Sequence, residues 1–274
     1  MSASSEIALA REAVARNPLW YHTIDVAPGV TTPGVFDLRS VVDRLPWPDV
    51  SGKRCLDVGT YDGYLAFELE RRGAREVVAT DIDRYEQLDW PERTKTEGTD
   101  LIGFFAAEPG RGFRIAKDEL GSRVERVELS VYDLDPAAVG SFDVVVCGSL
   151  LLHLRDPVAA LEAIRRVCSG SFMSAEQVNL RLSLLAPRTP VARFSEPYEL
   201  LHWWEPNRIG HRRMVEAADF EIERSTRLYS VPFGSAHPPR GRAPRSLARA
   251  LARRVLTGSD GVPHAALLAR AGAR

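Results

Sequence analysis

The sequence predicts an α/β fold: a Rossmann-like, seven-stranded, mostly parallel sheet with helices on both faces. Three observations predict it. Residues 54–80 read as strand, glycine turn, helix, strand, the opening unit of a parallel sheet. Phe142 to Cys147 is an apolar, β-branched run suited to a strand buried on both faces. Strand and helix patterns then keep alternating to residue 178, after which the pattern loosens.

The elements follow in order. Residues 4–16 form an amphipathic helix, capped by Ser4 or Ser5, with Ile7, Leu9, Ala10 and Val14 as its stripe. An aromatic segment, Trp20 to Ile24, leads into a Pro/Gly-punctuated loop ending at Gly34. Residues 37–45 read as a second helix, stopped by Pro46 and Pro48. Strands are expected at 54–58, 76–80, 124–131, 142–147, 171–178, 220–225 and 265–269. Helices are expected at 64–72, closed by Gly73, at 113–120, closed by Gly121, and at 157–167 and 209–218. Residues 180–207 hold Pro187, Pro190, Pro197 and Pro206 among Tyr198, Trp203 and Trp204, which reads as a cap inserted after the fifth strand rather than sheet. The expected organisation is an N-terminal helical lid over 1–49 and one domain over 50–274. That domain carries the cap at 180–215 and a basic loop and helix at 235–256.

The net charge is −1, so the chain as a whole is no electrostatic nucleic-acid binder. Arg240, Arg242, Arg245, Arg249, Arg253 and Arg254 nevertheless lie in a stretch without acids. That run reads either as an arginine-rich surface helix over 246–256 or as a contact for an anionic partner. No apolar run is long enough to span a bilayer, and the first residues lack an apolar signal core, so a cytoplasmic monomer or homodimer is expected. Cys55, Cys147 and Cys168 are scattered without ligand spacing, which predicts buried thiols and no metal.

The strongest functional signal is Asp57-Val58-Gly59-Thr60-Tyr61-Asp62-Gly63. A glycine turn between a buried strand and a helix lets a ligand approach the backbone and the helix N-terminus. Asp57 would repel a pyrophosphate but suits an ammonium group, directly or through water. Asp81, with Ile82 beside it, ends the next strand where a carboxylate can accept both ribose hydroxyls.

Together these residues resemble the class I S-adenosylmethionine-dependent methyltransferases, whose first motif is an acid followed by Gly-x-Gly-x-Gly. Here Tyr61 replaces the middle glycine and must avoid positive φ or be strained. The resemblance implies S-adenosyl-L-methionine as cofactor. It also implies Asp133 as partner of the adenine amino group, and Gly148-Ser149 as the end of a fourth motif. A narrower resemblance rests on Trp20-Tyr21-His22, Leu151 to Pro157 and Gly261-Val262-Pro263. These look like the tRNA wobble-uridine 5-oxyacetic acid methyltransferase family, which uses a carboxylated cofactor held by a Tyr and basic residues. In this chain Leu152 stands for that Tyr, and His264 and Ala265 stand near the late arginine pair, so the plain cofactor is expected. The chain is most similar to an actinobacterial branch resembling methylglucose lipopolysaccharide O-methyltransferases, which implies a saccharide acceptor. A tRNA-modifying enzyme, a natural-product O-methyltransferase and a non-catalytic cofactor binder are the alternatives.

Methyl transfer to a hydroxyl gains from a general base. His153, after the fourth strand, is the first candidate, or else a core or capping histidine. Glu176, at the end of the fifth strand, is a second candidate, or else a surface acid. His22 could close over the site as part of a lid, with Tyr21 contacting the methionine carboxylate, as the resemblance implies. Tyr198, His202, Trp203 and Trp204 form the densest aromatic cluster, suited to sugar faces or nucleobases, or to core packing. Arg208 could orient the acceptor, or lie on a solvated helix face.

Overall fold

The computed structural model describes residues 3–90, 110–194, 202–237 and 244–272. The chain enters through helix α1 (Ala3–Ala15) and four short strands, β1 (Trp20–His22), β2 (Asp25–Ala27), β3 (Val30–Thr31) and β4 (Gly34–Phe36). β1 pairs parallel with β4, and β2 forms a hairpin with β3. Ala10, Val14, Trp20 and Ile24 join the main core on one face of the central sheet, so this segment is packed onto the body. The helix expected over 37–45 does not form, and only Val42–Arg44 makes a single 3₁₀ turn. Asp37 accepts from the Arg39 amide at 3.1 Å and from its guanidinium. A side chain bonded to its own neighbouring backbone competes with the helical ladder.

The central strands are β5 (Arg54–Val58), β6 (Glu76–Asp81), β7 (Glu125–Glu128), β8 (Phe142–Gly148) and β9 (Cys168–Gln177). After a short hairpin, β10 (Ala192–Phe194) with β11 (Trp204–Pro206), come β12 (Phe220–Ser225), β13 (Tyr229–Val231) and β14 (Val262–Ala271). The order across the sheet is β12-β14-β9-β8-β5-β6-β7, with β13 continuing the β12 edge along β14. The expected fold class is therefore the observed one. β7, β6, β5, β8 and β9 run parallel, and β14 alone is inserted antiparallel between β9 and the edge. The expected strand at 124–131 is shorter, because the Ser130 side chain accepts from the Tyr132 amide and opens a 3₁₀ turn. The cap also contains more order than expected, since β10 and β11 form a two-stranded antiparallel ribbon there.

Successive strand residues point to opposite faces. Cys55, Val144, Val146, Met173 and Ala266 pack with α1 and with helices α2 (Tyr64–Arg71) and α3 (Arg111–Leu120). Leu56, Val58, Val145, Phe172 and Leu267 pack on the other face. There they meet helix α5 (Pro157–Val167), which follows the short α4 (Pro136–Val139), and helix α7 (Arg208–Ala217), which follows the short α6 (Leu180–Leu185). α5 occupies the expected residues because Asp156 caps it, accepting from the Ala159 amide, and Pro157 takes the first helical position. The last helix, α8 (Pro244–Thr257), lies in the basic segment. The strand order reverses at β5, so a crevice opens at its carboxyl end, where such sheets bind ligands.

Candidate active site

A cavity of about 1310 Å³ lies at that crevice, larger than the roughly 300–1,000 Å³ usual for one small ligand. Its floor is the turn after β5. The amides of Gly59 and Thr60 donate to Thr80 O at 2.9 and 3.1 Å, tying the turn to β6. Asp57 lies beneath it, accepting from Thr60 Oγ1 at 2.7 Å and from the Ala66 amide in the first turn of α2. Burial pushes its carboxyl up to about 7. Asp57, Thr60 and Gly63 are thus the underside of the turn and not its ligand-facing wall. Gly63 has φ of 92°, and a Cβ there would lie 2.6 Å from the Phe67 ring, so its role is helix packing.

Tyr61 does adopt positive φ, at 47°. A side chain in that region costs about 1–2 kcal/mol. It is held by a 2.7 Å bond from its amide to Asp81 Oδ2 and by its ring, 5.2 Å from that of Tyr21. Asp81 Oδ1 accepts from the Ile82 amide at 2.8 Å. Each carboxylate oxygen therefore spends one lone pair on the backbone and keeps one for the cavity, which Asp81 lines. Burial raises the Asp81 carboxyl above its ordinary value, against the two amide bonds.

Asp62 joins the N-terminal segment to this floor. Its Oδ2 accepts from the amides of Tyr21 at 2.6 Å and His22 at 3.0 Å. Burial raises it to about 7. Gly112, at the start of α3, must lack a side chain, because a Cβ would sit 2.3 Å from Asp62 Oδ1. Tyr21 and His22 thereby line the cavity. Burial holds His22 neutral, with a value down to about 3, and its Nδ1 is buried without a hydrogen-bond partner.

The opposite wall follows β8. Gly148 and Ser149 line the cavity, Ser149 with φ of 53°. Ser149 Oγ lies 3.0 Å from His264 Nε2, and His264 Nδ1 lies 2.8 Å from Val262 O. A carbonyl only accepts, so Nδ1 carries the proton and Nε2 accepts from the serine. Burial holds this ring neutral, at about 4. Glu176 is neither a surface acid nor a wall residue. It is 2% exposed, and its carboxylate accepts from the Leu151 amide at 3.2 Å and from Leu150 N at 3.5 Å. Burial lifts it to about 8. It sits behind the Leu151–His153 turn and positions it, which corrects its candidacy as the base. His153 lines the cavity, its ring edge-on to His202 at 5.1 Å. His202 is kept neutral by burial, at about 3, and its Nδ1 is buried without a hydrogen-bond partner.

Four expected contacts are not part of this wall. Asp133 is exposed on the 3₁₀ turn, while Ser130, Val131 and Tyr132 line the cavity in its place. At three residues per turn, a one-position shift rotates a side chain by about 120°. Trp203 donates to Asp89 O at 2.6 Å and Trp204 to Arg155 O at 3.2 Å, so both clamp the cap onto the body. Arg208 donates to Thr226 O at 3.4 Å. Tyr198 lies outside the described residues. Among the residues that sequence reasoning missed, Asn179, Gln177 and Glu205 bring polar groups to the cavity lining. No motif marks them, since they come from the end of β9, the N-cap of α6 and the middle of β11.

Residues 36–224 match the family model described as "Methyltransferase domain". The ubiquinone biosynthesis O-methyltransferases of Pectobacterium carotovorum and Escherichia coli are each 27% identical over 180 residues, 60% of this chain and 65% of theirs. The match thus spans about 65% of the length of these relatives. The N-terminal domain of EvdMO1 with SAH bound superposes with a TM-score of 0.54 at 18% identity, covering 99% of this chain and 98% of that one. The same domain in the presence of SAH and D-fucose gives 0.53 over the same shares.

Proposed function

Because the chain belongs to the methyltransferase-domain family, we propose that it is an S-adenosyl-L-methionine-dependent O-methyltransferase acting on a carbohydrate hydroxyl, in polysaccharide biosynthesis of the methylglucose lipopolysaccharide type. The observation that carries the cofactor is Asp81, whose carboxylate is fixed by Tyr61 and Ile82 amides on the cavity wall at the switch point of the sheet. His22, Thr80 and His202, all wall residues, carry buried polar atoms without partners, which fits a wall built for a polar ligand. The donor set fits the cofactor. Asp81 would hold the ribose diol, Ile82, Ser130 and Tyr132 the adenine side, and Gly59, Tyr61 and Tyr21 the methionine side. Leu152 and the neutral His264 offer no cation to an added carboxylate, which favours the plain cofactor.

When bound, the cofactor supplies an electrophilic methyl group on a sulfonium, transferred by in-line displacement. The chain's own work is to orient the acceptor and take its proton. His153 takes that proton, Glu176 fixes the turn that carries it, and residues 1–49 close the site through Asp62. The acceptor side, with Asn179, Gln177, Glu205 and His202, suits a ligand rich in hydroxyls. The solved relative crystallised with D-fucose supports the sugar class. The ubiquinone enzymes favour a phenolic natural product as the second reading.

Transfer of radiolabelled methyl to a panel of oligosaccharides, phenols and tRNA tests this. Label in oligosaccharide is expected. Label only in phenols or only in RNA would reject the carbohydrate acceptor. No label in any acceptor, with tight binding of S-adenosylhomocysteine, would reject catalysis.

A further inference from the structure

α8 is attached to the body the wrong way round for a soluble amphipathic helix. Its polar edge faces inward: Thr257 Oγ1 is buried 2.6 Å from Ser230 Oγ, and Arg253 Nη1 donates to Gly261 O at 2.8 Å. Its apolar stripe faces out. Leu247, Leu251 and Val255, four residues apart, are 59%, 64% and 77% exposed. An apolar stripe on a helix that has already found its packing face is the informative case, since such stripes normally drive the packing.

The patch continues across the cavity rim. Leu256 of α8, with Leu184 and Leu185 of α6, are all exposed and all line the cavity. Six of the nine exposed large apolar side chains among the described residues thus belong to α8 and α6, and three of them line the cavity. The segment that carries α8 is basic in sequence. Between Glu223 and Asp260 the sequence holds eight arginines and no acid, although the whole chain carries −1. Arg181 of α6 lies on the same rim. A leucine stripe on a helix from an arginine-rich segment without acids complements a surface that is apolar beneath and anionic above. An RNA contact would use the arginines but leave the leucines without a partner. No helix of the described residues is long and apolar enough to cross a membrane, which leaves an in-plane contact.

We propose that α8 and the tip of α6 dock on an anionic lipid bilayer, setting the mouth of the active-site cavity at the headgroup level. Acceptors anchored in that bilayer would then enter without leaving it. The docking stands on the exposed faces alone and does not depend on which hydroxyl is methylated.

The test is co-sedimentation of the full chain with phosphatidylcholine vesicles, with and without phosphatidylglycerol. Binding is expected only with the anionic lipid, and it should weaken with salt. Leu251→Glu with Val255→Glu should weaken it by about tenfold or more, because two apolar side chains leave the interface. An unchanged melting temperature and unchanged S-adenosylhomocysteine affinity would show that the variant is folded. No binding to anionic vesicles would overturn the proposal. So would binding unaffected by the double variant, or a sizing-column dimer that the same variant dissociates, which would make the face a contact between copies of this chain.

Discussion

Replacing Asp62 with alanine should open the lid while leaving the sheet intact. Asp62 Oδ2 is the acceptor for two amides, those of Tyr21 at 2.6 Å and His22 at 3.0 Å. A buried donor that loses its acceptor costs about 1–3 kcal/mol, so the pair places about 2–6 kcal/mol on the segment Trp20–His22. Trp20, Val14 and Ala10 remain packed in the main core, so the loss is local. Tyr21 and His22 should leave the cavity wall for part of the time, and ligand binding must then restore the closed arrangement. At 1.4 kcal/mol per factor of ten, the S-adenosylhomocysteine dissociation constant should rise by about tenfold or more. Asp62→Asn keeps an oxygen acceptor and should stay within about threefold of the parent. Isothermal titration calorimetry reads the affinity, and amide exchange reads the lid at residues 20–24. An alanine variant with parental affinity and parental exchange would refute the argument that Asp62 joins lid to floor.

His153→Ala should lower turnover by about 10²–10⁴ with cofactor affinity unchanged, measured by steady-state kinetics and calorimetry. Unchanged turnover would remove it as the base. Trp203→Phe should lower the melting temperature, because the bond to Asp89 O is lost and the Arg155 guanidinium is left over a smaller ring, and should leave the acceptor KM unchanged. A raised KM would return Trp203 to the substrate wall. Stability should also fall as pH rises above neutrality. Asp57 and Asp62, raised to about 7, and Glu176, raised to about 8, favour the folded state while protonated and lose that advantage as pH passes those values. His22, His202, His211 and His264, lowered to between about 3 and 4, act oppositely, and their contribution is lost as pH falls below their ordinary 6.5. Below about pH 6.5 the two sets oppose each other, and above it only the carboxyl set still changes, so the melting temperature should drop from about pH 6.5 to about pH 8.5, and Glu176→Gln should flatten the upper part of that drop.

The sheet was legible because its signals are local and periodic. Val144 to Cys147 can only be a strand buried on both faces, and Asp156-Pro157 can only begin a helix. The glycine turn and Asp81 were legible for the same reason, since strand ends and turn residues lie close together in sequence. The helix expected over 37–45 failed where an Asp37 side chain took the Arg39 amide, which no periodicity registers. Trp203 and Trp204 read as a binding surface because aromatic residues serve packing and recognition alike, and only their indole bonds to Asp89 and Arg155 separate the two.

The sequence alone determined the order of strands and helices, the bend after the first central strand and the acid that ends the second. Tertiary structure decided which side of each element faces the cavity. It put Asp57 and Glu176 behind the wall, Asp62 and His264 into it, and the leucines of α8 outside. Several of those choices depend on distant partners, 25 residues away for Glu176 with Leu151 and 115 for Ser149 with His264. A local pattern fixes an element's period, but only the closed fold fixes its rotation.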